Sequence, residues 1–301
     1  MSVHLLAIDS LPACSLGCYG EHRIPTPHFD KLASQSVVCH LYLKNADLLA
    51  SLPPLSSTLQ TSHWQEPLLE TATLFAAAEY WLNEEEMALI FSDEEEDDDD
   101  DDDRTPAGSR ERLADRLRAE QVQLVEASAI AIAHDTALGE WLSGMPFQEG
   151  DVLVIVGTTG DLRRLPEQRP EWQASLSEPM IHLPLLIQVI GRNHHHRVHE
   201  LVETADLVRL ISQLTEQGSK AIDQWSCDLQ TQEIYWKTST LSAIRTWDWL
   251  LIKYHDANDN EEERDGPQVV LFRKPEDHWE MLDVATQHPD LVESLLERLR
   301  E

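Results

Sequence analysis

Hydrophobic residues fall in short runs along this chain, and four of them, Leu5 to Ile8, Met87 to Phe91, Val152 to Val156 and Leu183 to Val189, predict buried strands. Apolar residues spaced three and four apart predict helices over Leu69 to Tyr80, Ser109 to Leu142, Val198 to Leu214 and Pro289 to Arg300. Alternating strands and helices predict an α/β fold, with a central mostly parallel or mixed sheet and helices on both faces. The segment from Leu241 to Lys274 breaks the pattern, with strand-like runs Ile244 to Tyr254 and Gln268 to Phe272 around the polar stretch His255 to Gly266. It predicts an antiparallel hairpin with a long acidic loop. The chain therefore divides into an α/β core over 1–218 and a small C-terminal α+β subdomain over 219–301, closed by the last helix. Trp247 and Trp249 flank Asp248 in one strand-like run and would face the same side, as packing or hairpin surface.

Composition narrows the function classes. A chain of 301 residues with 42% hydrophobic and 26% charged residues can bury a large core. Its net charge of −32, from 55 acidic against 23 basic residues, repels phosphate backbones and anionic lipid, so neither nucleic acid nor membrane is an expected partner. Glu84 to Glu86 and the run Asp93 to Asp103 hold 14 of the acidic side chains. The run has no apolar residue to bury and reads as a solvated insertion over about 93–106, with weak calcium binding or capture of a basic protein partner as the other readings. No apolar stretch approaches the roughly 20 residues of a membrane span, and Met1-Ser2-Val3-His4 carries no basic leader, which predicts a soluble, cytoplasmic protein. Cys14, Cys18, Cys39 and Cys227 are too scattered for a disulfide framework and read as free thiols. His194, His195, His196 and His199 suit adventitious transition-metal binding more than a physiological site, because Arg192 and Arg197 stand among them.

Three ordered segments carry a family resemblance. Leu5-Leu-Ala-Ile-Asp-Ser-Leu11 is followed by Leu16-Gly-Cys-Tyr-Gly20 and by Thr26-Pro-His-Phe-Asp-Lys-Leu-Ala-Ser34. This resembles the opening of sulfatases and related phosphonate hydrolases, in which a strand ends in a metal-binding Asp before Leu-Gly-Cys-Tyr-Gly and Thr-Pro-Asn-Leu-Asp-x-Leu-Ala. Downstream, His134-Asp135 with Leu138-Gly139, Asp151 to Val156, Ile181 to Ile187 with Gly191-Arg192, and Leu201 to Leu207 resemble later family segments in the same order. Ala243-Ile-Arg-Thr246, Lys274 to Glu280 and Asp283-Val-Ala285 resemble its C-terminal subdomain. The resemblance implies an alkaline-phosphatase-like fold across nearly the whole chain.

Sulfatase chemistry needs a divalent cation, an activated nucleophile and basic groups against developing charge. Asp9 matches the first metal position, and Ser10 stands where many members have a second Asp. Asp9 reads equally as a cap on the following turn. Where members read Thr-Ser-Asp-His-Gly, this chain reads Gly157-Thr-Thr-Gly-Asp161, so Thr159 and Gly160 stand at the Asp and His places. A two-residue shift brings in Asp161 as ligand, with Leu162 where the His is needed. So few carboxylates would hold Ca or Mg only weakly, because a hard dication seeks six or more oxygens.

The nucleophile motif of the family is Cys-x-Pro-x-Arg or Ser-x-Pro-x-Arg. Ser51-Leu52-Pro53 offers Ser51 as a candidate nucleophile, but Leu55 takes the arginine place; the other register puts Leu52 at the nucleophile position. Ser51 also reads simply as a loop residue at a helix start, before two prolines. No cysteine lies between Cys39 and Cys227, so there is no formylglycine at this motif. The family's Lys-x-His pair has no counterpart between Asp47 and Arg104, where His63 is the only basic-type side chain. The expectation is a sulfatase-like protein with lost or impaired hydrolase activity, acting as a non-catalytic scaffold or binding protein. The alternative is a divergent metal-dependent hydrolase of small anionic esters, using Asp9, Ser51 and Asp161.

Overall fold

All six residues of β1 (Val3–Ile8) are buried, as a strand covered on both faces must be. In the computed structural model, which describes residues 1–52, 58–82, 119–164, 176–193, 195–255 and 268–300, β1 runs parallel to two neighbours. These are β3 (Leu59–Trp64) on one side and β4 (Val152–Gly157) on the other. The sheet continues through β6 (Leu185–Val189), antiparallel to both β4 and β2 (Val37–Leu43). The two-residue β5 (His182–Leu183) also pairs with β2, and β7 (His196–Glu203) runs parallel along its other side. The sheet is therefore mixed, with β3, β1, β4, β2 and β7 pointing the same way. The strand expected at Met87 to Phe91 and the acidic run lie outside the described residues.

Alternate residues of β1 feed two cores. Val3, Leu5 and Ala7 join Val154 and Val156 under α6 (Thr204–Gln217) and α7 (Lys220–Asp228). Leu6 and Ile8 join Leu153 and Ile155 under α1 (Pro27–Ala33) and α4 (Ala119–Gly144). Two short helices follow β2 and β3, α2 (Leu48–Ser51) and α3 (Thr71–Ala78), the latter packing on α4 through Leu74, Ala77 and Ala78.

Two expectations change in detail. Pro184 cannot donate to a sheet ladder and divides the run Leu183 to Val189 into β5 and β6. The segment Val198 to Leu214, expected as one helix, is the edge strand β7 followed by α6. The spacing of Val198, Leu201 and Val202 fits either period, and pairing with β2 decides for strand. The switch to helix falls at a reciprocal capping box between Glu203 and Asp206.

The C-terminal unit is a four-stranded antiparallel sheet, ordered β11 (Val269–Arg273), β10 (Trp249–Tyr254), β9 (Leu241–Arg245) and β8 (Ile234–Lys237). Leu241, Ala243, Leu250, Ile252, Val270 and Phe272 face the large sheet and meet Leu41, Leu43 and Leu201. The intervening Ile244, Leu251 and Leu271 face the last helix, α8 (Pro289–Arg298), through Leu295. Trp247 lies in the turn between β9 and β10 rather than in a strand, 41% exposed, whereas Trp249 packs against the α8 side. α7 shares the core of the large sheet, so the second sheet begins at Ile234.

The two units are joined by a buried ionic cluster. Lys274, 1% exposed, sits 3.1 Å from Glu178 of α5 (Glu178–Ile181) and bonds Glu280 as well. Burial pushes the Glu178 carboxyl up. The His182 hydrogen bond and the charges of Lys274 and Arg245 more than offset this and hold it well below the usual range. A carboxyl depressed in the folded state stabilises it above its unfolded pKa, and that contribution is lost as pH falls through the depressed value. Lys274→Met leaves two buried carboxylates without their cation and should cost about 3–5 kcal/mol in urea unfolding at pH 7. The variant should lose less on acidification than the parent.

Candidate functional site

The carboxyl ends of β3, β1 and β4 stop in register, Ile8 standing opposite both Trp64 and Gly157. The ladder runs one step further on each side, with Asp9 N–H donating to Trp64 O at 2.9 Å and Thr158 N–H to Ile8 O at 2.8 Å. Asp9 is thereby fixed between the two neighbouring strand ends. His63 is opposite Ala7, so its side chain leaves the sheet on the same face as Asp9. Its Nε2 lies 3.0 Å from Asp9 Oδ2, and the Thr158 hydroxyl donates a short hydrogen bond to Asp9 Oδ1. Both carboxylate oxygens of Asp9 are engaged within the protein.

His134 of α4 closes the inner side. Its Nε2 is 3.0 Å from the Asp9 carbonyl, and its ring stacks on Trp64 with 5° between planes. Burial lowers its pKa against the raising effect of Asp9, which keeps the ring neutral with Nε2–H as donor. Ser10 follows Asp9 with φ +54°, a left-handed conformation that costs a non-glycine residue energy. Its backbone N–H is held by Thr159 Oγ1 at 2.8 Å and its hydroxyl donates to Glu66 Oε2 at 2.7 Å.

Asp161 reaches this neighbourhood through a relay. Arg163 donates from Nε to Asp161 Oδ1 at 2.8 Å and from Nη1 and Nη2 to Glu66 at 3.0 and 2.8 Å. The Arg163 hydrogen bonds hold Glu66 below the ordinary carboxylate range, and Glu66 in turn takes the Ser10 hydroxyl. Gly160, where the sequence resemblance would expect a histidine, has no room for a side chain. A Cβ there would stand 2.0 Å from Pro179 O and 2.4 Å from Met180 Cα, both backbone atoms.

Ser51 is not drawn into this group. It ends α2, is exposed, and donates its hydroxyl to Asp47 O at 2.6 Å in its own turn. Among the described residues no hydrogen bond or ion pair ties it to Asp9 or Asp161. His195, His196 and His199 lie at the β7 edge, His199 beside His40 with ring centroids 5.6 Å apart; His194 lies outside the described residues. The donor set does not fit the dication that the fold implies. Among the described residues no three His, Cys, Asp or Glu side chains converge as metal ligands; Asp9 Oδ1 and Asp161 Oδ1 accept protein donors, and Asp161 Oδ2 is buried with no hydrogen-bond partner among the described residues.

His63, Glu66, His134, Thr158 and Arg163 escape sequence reasoning as a group. β3 carries only one β-branched residue, Thr61, and its polar alternation hides the parallel pairing that brings His63 beside Asp9.

Solved structures of the same fold set these details in context. The chain superposes on BT4656 in complex with its substrate D-glucosamine-2-N,6-O-disulfate with TM-score 0.65 and 11% identity, over 99% of this chain and 96% of that one. It matches the phosphonate monoester hydrolase of Agrobacterium radiobacter at TM-score 0.60 and 11% identity, over 99% and 94%. It matches BT1596, a 2-O glycosaminoglycan sulfatase, at TM-score 0.56 and 13% identity, over 100% and 92%. No family model and no curated protein sequence matches the chain. The fold is therefore the alkaline-phosphatase-like α/β fold that sulfatases and a phosphonate monoester hydrolase share.

Two outcomes test the geometry. Gly160→Ala should lower stability by about 3 kcal/mol in denaturant unfolding, because backbone must move to admit the methyl group. His134 stays neutral when folded but takes a proton when unfolded, so stability should fall as pH drops below about 6.5. His134→Gln should flatten that part of the Tm profile.

Proposed function

We propose that this chain is a degenerate sulfatase-fold protein that no longer hydrolyses esters and serves as a non-catalytic scaffold or binding protein. The observation that carries the reading is the setting of Asp9, whose Oδ1 accepts the Thr158 hydroxyl and whose Oδ2 lies 3.0 Å from His63 Nε2. A carboxylate set in this way has a protein partner at each oxygen without a cation. Gly160 supports the same reading, because its contacts with residues 179 and 180 exclude a histidine ligand. The acidic insertion gives the scaffold a means of holding a basic protein partner.

The rival, a divergent hydrolase of sulfate, phosphate or phosphonate esters, needs a nucleophile beside Asp9 and a cation between Asp9 and Asp161. Its candidate Ser51 is bonded to its own helix turn, and Asp161 is bonded to Arg163. The Asp9–His63 pair, with His63 exposed and Asp9 half-buried, could still hold or pass a proton, which is the feature that keeps this rival chemically definite.

Purified protein should show no turnover of aryl sulfates, phosphate esters or phosphonates above background with calcium, magnesium or manganese. Metal-dependent turnover abolished by Asp9→Ala would overturn the proposal.

A further inference from the structure

A separate cavity of about 340 Å3 lies between the chain that follows β1 and the loop after β11, lined by Cys14, Tyr19, His22, Arg23, His182 and His278. One guanidinium and three imidazoles meet there, in a chain with 23 basic residues against 55 acidic ones. Part of the lining is fixed by bonds that point away from the opening. The Tyr19 hydroxyl donates to Cys39 O at 3.0 Å and accepts Leu185 N–H at 2.9 Å, and His182 Nε2 stands 2.8 Å from His40 O.

The Arg23 side chain and the His278 ring are positioned by aromatic contacts. The Arg23 guanidinium lies over the Trp81 ring, 4.9 Å from its centroid, and Trp81 is pinned by donating Nε1–H to Ser128 at 2.8 Å. No carboxylate among the described residues forms an ion pair with Arg23. His278 packs edge-on against Trp279 with ring centroids 4.9 Å apart. Neither its ring nor that of His22 has a hydrogen-bond partner among the described residues.

The carboxylates around the cavity are each directed to protein donors. Behind His278, Lys274 is paired with Glu178 and Glu280, and the charges of Glu178, Glu280 and Asp248 act on Arg245. Asp277 directs its carboxylate to the N–H groups of Met281 and Leu282, at 2.8 and 2.9 Å. Glu21, also at the wall, accepts the Arg23 backbone N–H at 2.7 Å. Burial lowers the His278 pKa; Glu178 and Asp277 raise it, and Lys274 and His182 lower it further.

We propose that this cavity binds a tetrahedral oxyanion, a free or ester-linked sulfate or phosphate, through the Arg23 guanidinium and the imidazoles of His22 and His278. Planar guanidinium donors match two oxygens of such a group. An anion beside His278 favours its protonated form, so binding takes up protons and strengthens as pH falls. The site is independent of Asp9 and stands whether or not the chain hydrolyses esters.

Sulfate is the probe, since its charge is constant from pH 5.5 to 8. Titration calorimetry of the full chain at fixed ionic strength, with chloride as control, should show saturable one-to-one binding at pH 5.5 and at least tenfold weaker binding at pH 8. Arg23→Gln and His278→Gln should each weaken it at least tenfold, and Asp9→Asn should leave it unchanged. Arg23 is exposed, so its variant reports binding even if His278→Gln disturbs the fold. No saturable sulfate binding at pH 5.5, binding indifferent to Arg23→Gln, or binding lost in Asp9→Asn would each overturn the proposal.

Discussion

The parallel clamp on β1 sets the rest of the molecule. A strand with six buried residues and hydrogen-bonded partners on both sides must be roofed on both faces, and that requirement calls for the α1–α4 layer and the α6–α7 layer. It also fixes where the chain leaves the sheet. Asp9 emerges between the ends of β3 and β4 with its backbone already committed to Trp64, so its side chain can reach only what those neighbours supply. The family resemblance at Leu5 to Leu11 is largely a record of this clamp.

A carboxylate in that position needs partners. Leaving it half-buried and unpaired would cost desolvation energy with nothing to offset it. Thr158 follows β4 by one residue and His63 stands on β3 itself, so the same register that presents Asp9 brings its donors. The neighbouring Glu66, Arg163 and Asp161 form a chain of opposite charges that closes on Ser10. The strand ends are thus held together by side-chain contacts around Asp9 and Ser10.

Much of this architecture was legible in the sequence. Val152 to Val156 and Leu183 to Val189 are apolar runs too short for helices, and they are β4 and β5–β6. Period alone could not separate β7 from α6, because Val198, Leu201 and Val202 satisfy either spacing until β2 is there to pair with. β3 was hidden for a related reason: among the described residues it ends the sheet, and Gln60 and Thr61, on opposite faces, are both exposed, so its sequence lacks the apolar continuity of β1. Asp9 was recognisable from its flanking motifs. His63, 54 residues further along, became its partner only through parallel pairing that no local pattern encodes.

The aspartates that carry much of the resemblance are structural ones. Asp135 accepts the N–H groups of His28 and Phe29 at 3.0 and 2.9 Å and so caps α1. Asp206 takes part in the α6 capping box, and Asp283 holds Leu271 N–H at 3.0 Å. Each meets a backbone donor that would otherwise be left unsatisfied, a demand set by the fold and independent of any substrate. At Gly160 the demand comes from the backbone of Pro179 and Met180, which stands too close for any side chain, so a single substitution there would not open the space.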